Sequence, residues 1–208
     1  PPEARAAFDK AGLDPEKLRP QSPEVVQSAK KGELELKSRT LKGLDLSNED
    51  LSGLDFSEAR LDTCILKKAN LTGAKLDGAI LKKCDFTGAE LSKASLKRTV
   101  CKQCVFKQAY FRDVRADMPL FEECDLSNAD FSGARLNQAV IQKGLFTAVN
   151  LSGAELYLCI ISGTDASKLV ADGARFEKCV LKRLTLDKAS LSGISTDATL
   201  LHTCSGKE

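Results

Sequence analysis

Cys64-Ile65-Leu66-Lys67-Lys68-Ala69-Asn70-Leu71-Thr72-Gly73-Ala74-Lys75-Leu76-Asp77-Gly78-Ala79-Ile80-Leu81 carries a large apolar residue at every fifth position: Leu66, Leu71, Leu76 and Leu81. The same beat runs unbroken from Leu36 to Leu201, and only Ala116, Ala166, Ala171 and Thr196 depart from Leu, Ile, Phe or Cys. Two places before each beat the residue is usually small, as at Ala59, Cys64, Ala69, Ala74, Ala79, Cys84, Ala89 and Ala94. A period of five excludes an amphipathic helix, whose apolar positions recur every ~3.6 residues. In an extended segment, residues separated by one share a face. Cys64 and Leu66 therefore point inward together while Ile65 points out. The two residues after each beat carry the chain round a corner, so each pentapeptide is one short side of a structure that keeps turning.

A second period, of twenty, counts the sides. Cys64, Cys84, Cys104 and Cys124 step by twenty, as do Cys159 and Cys179. Gly53, Gly73, Gly133, Gly153, Gly173 and Gly193 share one corner column, and Ile80, Val100, Leu120, Val140, Ile160, Val180 and Leu200 share one outward column. Residues twenty apart thus share an environment, and four pentapeptides complete one coil. Parallel coils stack at about 4.8 Å, which predicts an all-β rod of about eight coils, roughly 40 Å long.

Ala69-Asn70-Leu71-Thr72-Gly73, Ala129-Asp130-Phe131-Ser132-Gly133 and Ala154-Glu155-Leu156-Tyr157-Leu158 resemble the motif A(D/N)LXX of the pentapeptide repeat family. The resemblance covers about four-fifths of the chain. It implies a right-handed quadrilateral parallel β-helix with stacked Leu, Phe and small residues inside. It says little about function, because the family is defined by its scaffold.

Residues 1–33 stand outside the beat. Residues 2–11 read as a short helix closed by Gly12. Ser22-Pro23-Glu24 reads as an N-cap, a first-turn proline and a dipole-favoured acid, opening a second helix that ends near Gly32. These helices are expected to cap the first coil, with a linker from an upstream domain as the alternative. The expected organisation is a cap or linker at 1–33, the β-helix at 34–204 and a tail at 205–208. The opening Pro1-Pro2 reads as a fragment of a longer protein.

With 31 Lys and Arg against 29 Asp and Glu, the formal net charge is +2. That balance argues against both a nucleic-acid-binding surface and an acidic imitation of DNA. All eight cysteines fall at inward positions, including the C-x-x-C pair Cys101 and Cys104. They read as small core residues rather than zinc ligands or disulfides, and as buried thiols they fit a reducing, cytoplasmic compartment. His202, the lone histidine, sits at the last corner, and Glu122-Glu123 read as solvated. No catalytic constellation, metal set or cofactor loop is evident. Lys82, Lys83, Lys102, Lys143, Lys182 and Arg183 gather on one side, but Glu122 and Glu123 interrupt them and no aromatic residues interleave.

The column from Ile80 to Leu200 is different, because the outward positions of other sides are mostly polar. It forms an apolar stripe about 29 Å long, and Ile65, Val105 and Leu145 on the adjoining side alternate with Asp85, Asp125 and Asp165. Contiguous exposed apolar surface marks interfaces. The function expected is therefore a non-catalytic scaffold for protein–protein interaction. The partner would be another protein or a second copy, docked on the stripe or the open last coil. The chain would serve as one domain of a larger bacterial-type protein such as a secretion-associated effector or adaptor. The alternatives are a DNA-mimic protector or inhibitor of a type II topoisomerase, which the charge disfavours, and an enzyme without a recognisable site. Two irregularities carry expectations of their own. Pro119, two places before a beat, should break a ladder hydrogen bond and bulge its coil. Ala166 and Ala171 should let their coil narrow or shift.

Overall fold

The computed structural model describes residues 23–207; the helix expected over residues 2–11 and the Ser22 N-cap lie outside them. Helix α1 spans Pro23–Lys30, with Glu24 in its first turn and Lys30 in its last, each facing the helix-dipole end of opposite sign. Gly32, at φ +73°, closes it. The Gly32 N–H donates to the Ala29 carbonyl at 3.1 Å and the Glu33 N–H to the Ser28 carbonyl at 2.9 Å, the paired bonds of a Schellman closure. Val25 and Val26 are buried in the core, with Ala29 and Leu34 packed beside them. Lys30 pairs with Asp50 and ties the helix to the coils.

From Thr40 onward the chain winds as a four-sided parallel solenoid. The first side holds nine strands: β1 (Thr40–Lys42), β2 (Arg60–Asp62), β3 (Ile80–Lys82), β4 (Val100–Lys102), β6 (Leu120–Glu122), β8 (Val140–Gln142), β10 (Ile160–Asp165), β12 (Val180–Thr185) and β14 (Leu200–His202). The fourth side holds β5 (Arg115–Asp117), β7 (Arg135–Asn137), β9 (Glu155–Tyr157), β11 (Arg175–Glu177) and β13 (Ser195–Asp197). The second and third sides join through bridges such as Asp45↔Ile65 and Asp50↔Asn70. Every pairing steps by twenty residues, as in Ile80↔Val100 and Arg115↔Arg135.

The beats stack inside, where Phe86 lies on Phe106 with centroids 4.8 Å apart and Phe111 on Phe131 at 4.3 Å. Phe121 meets Phe106, Phe111 and Phe131 edge-on. Glycine is not what makes the corners possible. The second residue after the beat takes the left-handed conformation whatever its side chain, as at Ser38, Lys93, Gln138 and Leu158.

The corners are of two kinds. At a tight corner the residue three past the beat donates its N–H to the beat's carbonyl: Ala74 to Leu71 at 2.9 Å, Ala79 to Leu76 at 2.9 Å. Between the first and second sides no such bond forms at Leu44, Cys64, Cys84, Cys104 or Cys124, which leaves the beat carbonyl without its turn partner. Between the fourth and first sides the corner begins tight, at Ala59 and Ala79, and weakens to 3.4 Å at Thr99. At Pro119 it opens, and it stays open at Ala139 and Cys159.

This corrects the expectation for Pro119. The ladder is intact, with the Leu120 N–H donating to the Thr99 carbonyl and the Pro119 carbonyl accepting from Val140, both at 2.9 Å. What the missing proline N–H removes is the turn bond, and the formal strands of the fourth side begin at that coil.

The corner types also account for the cysteines. The Sγ of Cys64, Cys84, Cys124, Cys179 and Cys204 donates to the beat carbonyl of the coil before, each at 3.4 Å, and that of Cys159 to Leu136 at 3.2 Å. Thr199 makes the same bond to Phe176 through its hydroxyl at 3.1 Å. Seven cysteines thus stand at open corners, and six of them supply the donor that the turn lacks; the Cys104 Sγ instead donates to the Lys102 carbonyl of its own coil at 3.4 Å. Cys101, a beat residue, is wholly enclosed, and burial pushes its thiol well above the ordinary value. A test follows at Cys159. A site that only wants a small apolar residue would accept Ala better than Ser. The expected order is the reverse: Cys159→Ala removes the second donor to the Leu136 carbonyl, which keeps its ladder pairing toward Tyr157, and costs about 1 kcal/mol, while Cys159→Ser keeps a donor and costs less. Paired urea titrations read the difference, and a Ser variant less stable than the Ala variant contradicts it.

The two thin beats also behave differently from expectation. The ladder register holds through them, as in Asn150↔Val170 and Val170↔Ser190, so the coil does not shift. Larger residues fill in from the inward positions before the beats, where Val149, Leu169 and Leu184 are buried in place of the usual Ala or Cys. An apolar cavity of about 90 Å³ remains, lined by Phe146, Leu151, Ile161, Ala166, Leu169 and Phe176 among others.

Candidate interaction surface

The outward column of the first side is in continuous register: Ile80, Val100, Leu120, Val140, Ile160, Val180 and Leu200 pair coil to coil. Thr40 and Arg60 precede it, so the stripe starts at the third coil. β-Branched and long apolar side chains suit such stacked rows because each covers its neighbours. Accordingly Ile80, Val100, Leu120, Val140 and Val180 are half-buried, while Ile160 is 41% exposed and Leu200 more so.

The second-side residues do not merge with the stripe. Ile65 and Leu145 are exposed and Val105 half-buried, but each is bridged to aspartates above and below: Asp45, Asp85, Asp125 and Asp165. The polar column Lys82, Lys102, Glu122 and Gln142 also runs along the first-side strands between the two rows. In it Glu122 pairs with Lys102 at 3.0 Å and Lys143 at 3.4 Å, and the Lys102 hydrogen bond leads in holding its carboxyl below the usual range. The basic cluster read from the sequence is therefore partly neutralised in place.

The stripe instead extends the other way, over the corner to the fourth side. Met118 and Leu158, left-handed corner residues, are 38% and 40% exposed, and Tyr157, next to Leu158, carries Lys178 over its ring at 5.3 Å. Leu158 stands two residues before Ile160, and Met118 two before Leu120, so each corner side chain borders a stripe residue. The sequence reading passed over them because the corner column alternates with polar residues: Arg98, Gln138 and Lys178. The apolar patch is thus centred on Leu120, Val140, Leu158, Ile160 and Val180.

Other candidates stay apart from it. His202 is exposed, and its ring nitrogen lies 3.2 Å from the Thr203 hydroxyl. Among the described residues no group of His, Cys, Asp or Glu is placed to hold a metal ion, and no helix is long and apolar enough to cross a membrane.

Four equivalent five-residue sides, inward beats and coil-to-coil register at twenty residues define a parallel β-solenoid of the pentapeptide type. The family model "Pentapeptide repeats" matches 8 copies over residues 64–100 and 121–165, in agreement with the motif read from the sequence. Among solved structures it is similar to the plasmid-mediated fluoroquinolone resistance protein QnrB1, at 24% identity over 78% of this chain and 84% of that one, with a TM-score of 0.43. It is also similar to HetL, a pentapeptide repeat protein involved in heterocyst differentiation regulation from Nostoc sp. strain PCC 7120, at 19% identity over 85% and 92% of the two chains, TM-score 0.30. A third is a pentapeptide repeat protein from the Arabidopsis thaliana thylakoid lumen, at 25% identity over 69% of each chain, TM-score 0.21. No curated protein sequence matches the chain.

Proposed function

We propose that this chain is a non-catalytic interaction scaffold on which another protein docks across the apolar stripe of the first side. The observation that carries the reading is the patch formed by Leu120, Val140, Ile160 and Val180 with Met118 and Leu158. The solenoid core is complete without these side chains, so the fold does not require them to be apolar. Water-facing rows of this kind are stabilised when a partner covers them, at roughly 25 cal/mol per Å² of apolar area removed from water. A topoisomerase-directed DNA mimic would need a strongly acidic face, and the formal charge of +2 speaks against it. The hydrogen-bonded thiols at the open corners favour a reducing compartment, because oxidation would remove the donors.

The test replaces Ile160 and Val180 together with Lys, which the half-exposed sites accommodate without entering the core. Sedimentation velocity reports self-association, and a photo-crosslinking residue at position 140 captures a bound partner for identification. Loss of the association on double substitution supports the reading. An unchanged oligomeric state and an unchanged set of crosslinked partners would overturn it.

A further inference from the structure

A cleft of about 610 Å³ lies on the fourth side and its corner with the third, lined by Lys93, Ala94, Ser95, Lys97, Asp113, Arg115, Gly133 and Arg135. We infer that this cleft docks a short acidic peptide segment of a partner protein. It lies on a different side from the apolar stripe and does not depend on it.

The floor is open because its residues are small or held down. Ser95 stands in the ladder where its successors are Arg115 and Arg135, and its hydroxyl is drawn away to the Asp77 carboxylate. At Gly133 a Cβ would come within 2.8 Å of the Asp113 Oδ1, so glycine lets that carboxylate lie at the rim in its present rotamer. The walls are cationic. Four cations against one carboxylate give the lining a formal +3. Arg135 is engaged by Glu155 at 3.3 Å, whereas Lys93, Lys97 and Arg115 have no ion-pair partner among the described residues.

Arg115 and Arg135 also face each other directly across the ladder, where like charges destabilise a sheet. An anion between them converts that repulsion into charge-assisted bonding, for which guanidinium is the best-shaped donor. The extent of the site selects the ligand. The cations span three coils, about 10 Å, and the ladder turns acidic at Glu155. That length suits two carboxylates two residues apart on an extended peptide, which lie ~7 Å apart. A nucleic-acid track would want a longer cationic path and open stacking platforms. The two tyrosines are already covered, Tyr110 by Arg112 at 4.5 Å and Tyr157 by Lys178. Asp113 at the rim further penalises a dianion relative to a carboxylate.

The probe is a fluorescein-labelled peptide of six glutamates, followed by anisotropy, with a single-stranded oligodeoxynucleotide of similar charge as the second arm. The peptide is expected to bind saturably and to weaken as salt shortens the screening length. Lys97→Glu and Arg115→Glu should each weaken it by about tenfold or more, and Lys182→Glu on the first side should leave it unchanged. All three side chains are exposed, so the variants should keep the wild-type melting temperature; should one not, Arg115→Gln replaces it. Absence of saturable peptide binding, equal loss with Lys182→Glu, or tighter binding of the oligonucleotide would each overturn the inference.

Discussion

Phe111→Ala is expected to lower the unfolding free energy by about 3–5 kcal/mol, among the largest losses any single truncation in this chain can cause. Phe111 is fully enclosed, lies flat on Phe131 at 4.3 Å and meets Phe106 and Phe121 edge-on. Truncation removes the burial of one ring and also strands three others beside a void. The surroundings cannot close over that void. The coil is held by ladder bonds on both sides, including Phe111 N–H to the Asp130 carbonyl at 2.6 Å and Tyr110 N–H to the Ala89 carbonyl at 2.9 Å. Sliding inward would break several of them. Each coil of a solenoid is stabilised by its neighbours, so the damage should centre on the coils around residue 111. Guanidinium unfolding followed by circular dichroism gives the total, and amide exchange locates it. A loss under about 1 kcal/mol would mean that the aromatic stack relaxes far more readily than its bonding allows.

Gly144→Ala should cost a similar amount for the opposite reason, since it adds atoms where there is no room. An ideal Cβ at Gly144 would lie 2.2 Å from the Cys124 carbonyl oxygen, 3.0 Å from its nitrogen and 3.1 Å from its carbonyl carbon. All three are backbone, so no side chain can swing aside. Relief requires the two coils to part, against the Leu145 N–H to Cys124 carbonyl bond at 2.9 Å. A loss of about 3 kcal/mol or more is expected, at the upper end for overpacking. Gly153→Ala is the control: nothing lies within 4 Å of its Cβ, and only its left-handed φ of +63° opposes the change. That strain is worth about 1–2 kcal/mol. Equal melting temperatures for the two variants would refute the steric account of Gly144.

The architecture was legible because every beat reports the same environment. A Leu at 66, 71, 76 and 81 states the number of residues per side, and Cys at 64, 84, 104 and 124 states the number of sides. The stripe was legible for the same reason, since its residues share one column. What escaped is what depends on how a particular corner is bonded. Cys64 and Ala69 look alike as small inward residues, yet one stands at an open corner and donates its thiol to the Leu41 carbonyl while the other stands at a tight one. Pro119 was recognised as disruptive, but the bond it removes belongs to the turn. Leu169 and Leu184 compensate for Ala171 and Ala166, a trade of volume between inward positions that the beat alone conceals. The cleft brings together Lys93, Lys97, Arg115 and Arg135, whose meeting depends on the short Ser95 standing in the ladder where its successors are Arg115 and Arg135. Met118 and Leu158 were lost among polar residues of their own column.

The equivalence of the four sides has a consequence for comparing chains of this kind. An insertion of five residues keeps every downstream beat pointing inward, so the core tolerates it. It also advances every outer column by a quarter turn about the axis, so that a stripe continued past the insertion would face a new direction. An insertion of twenty restores the direction and displaces the downstream surface along the axis by about 4.8 Å. Relatives aligned on their beats alone can therefore share an identical interior while presenting their binding columns at different azimuths. The bearing of each column, counted in fives modulo twenty, is the coordinate on which their surfaces should be compared.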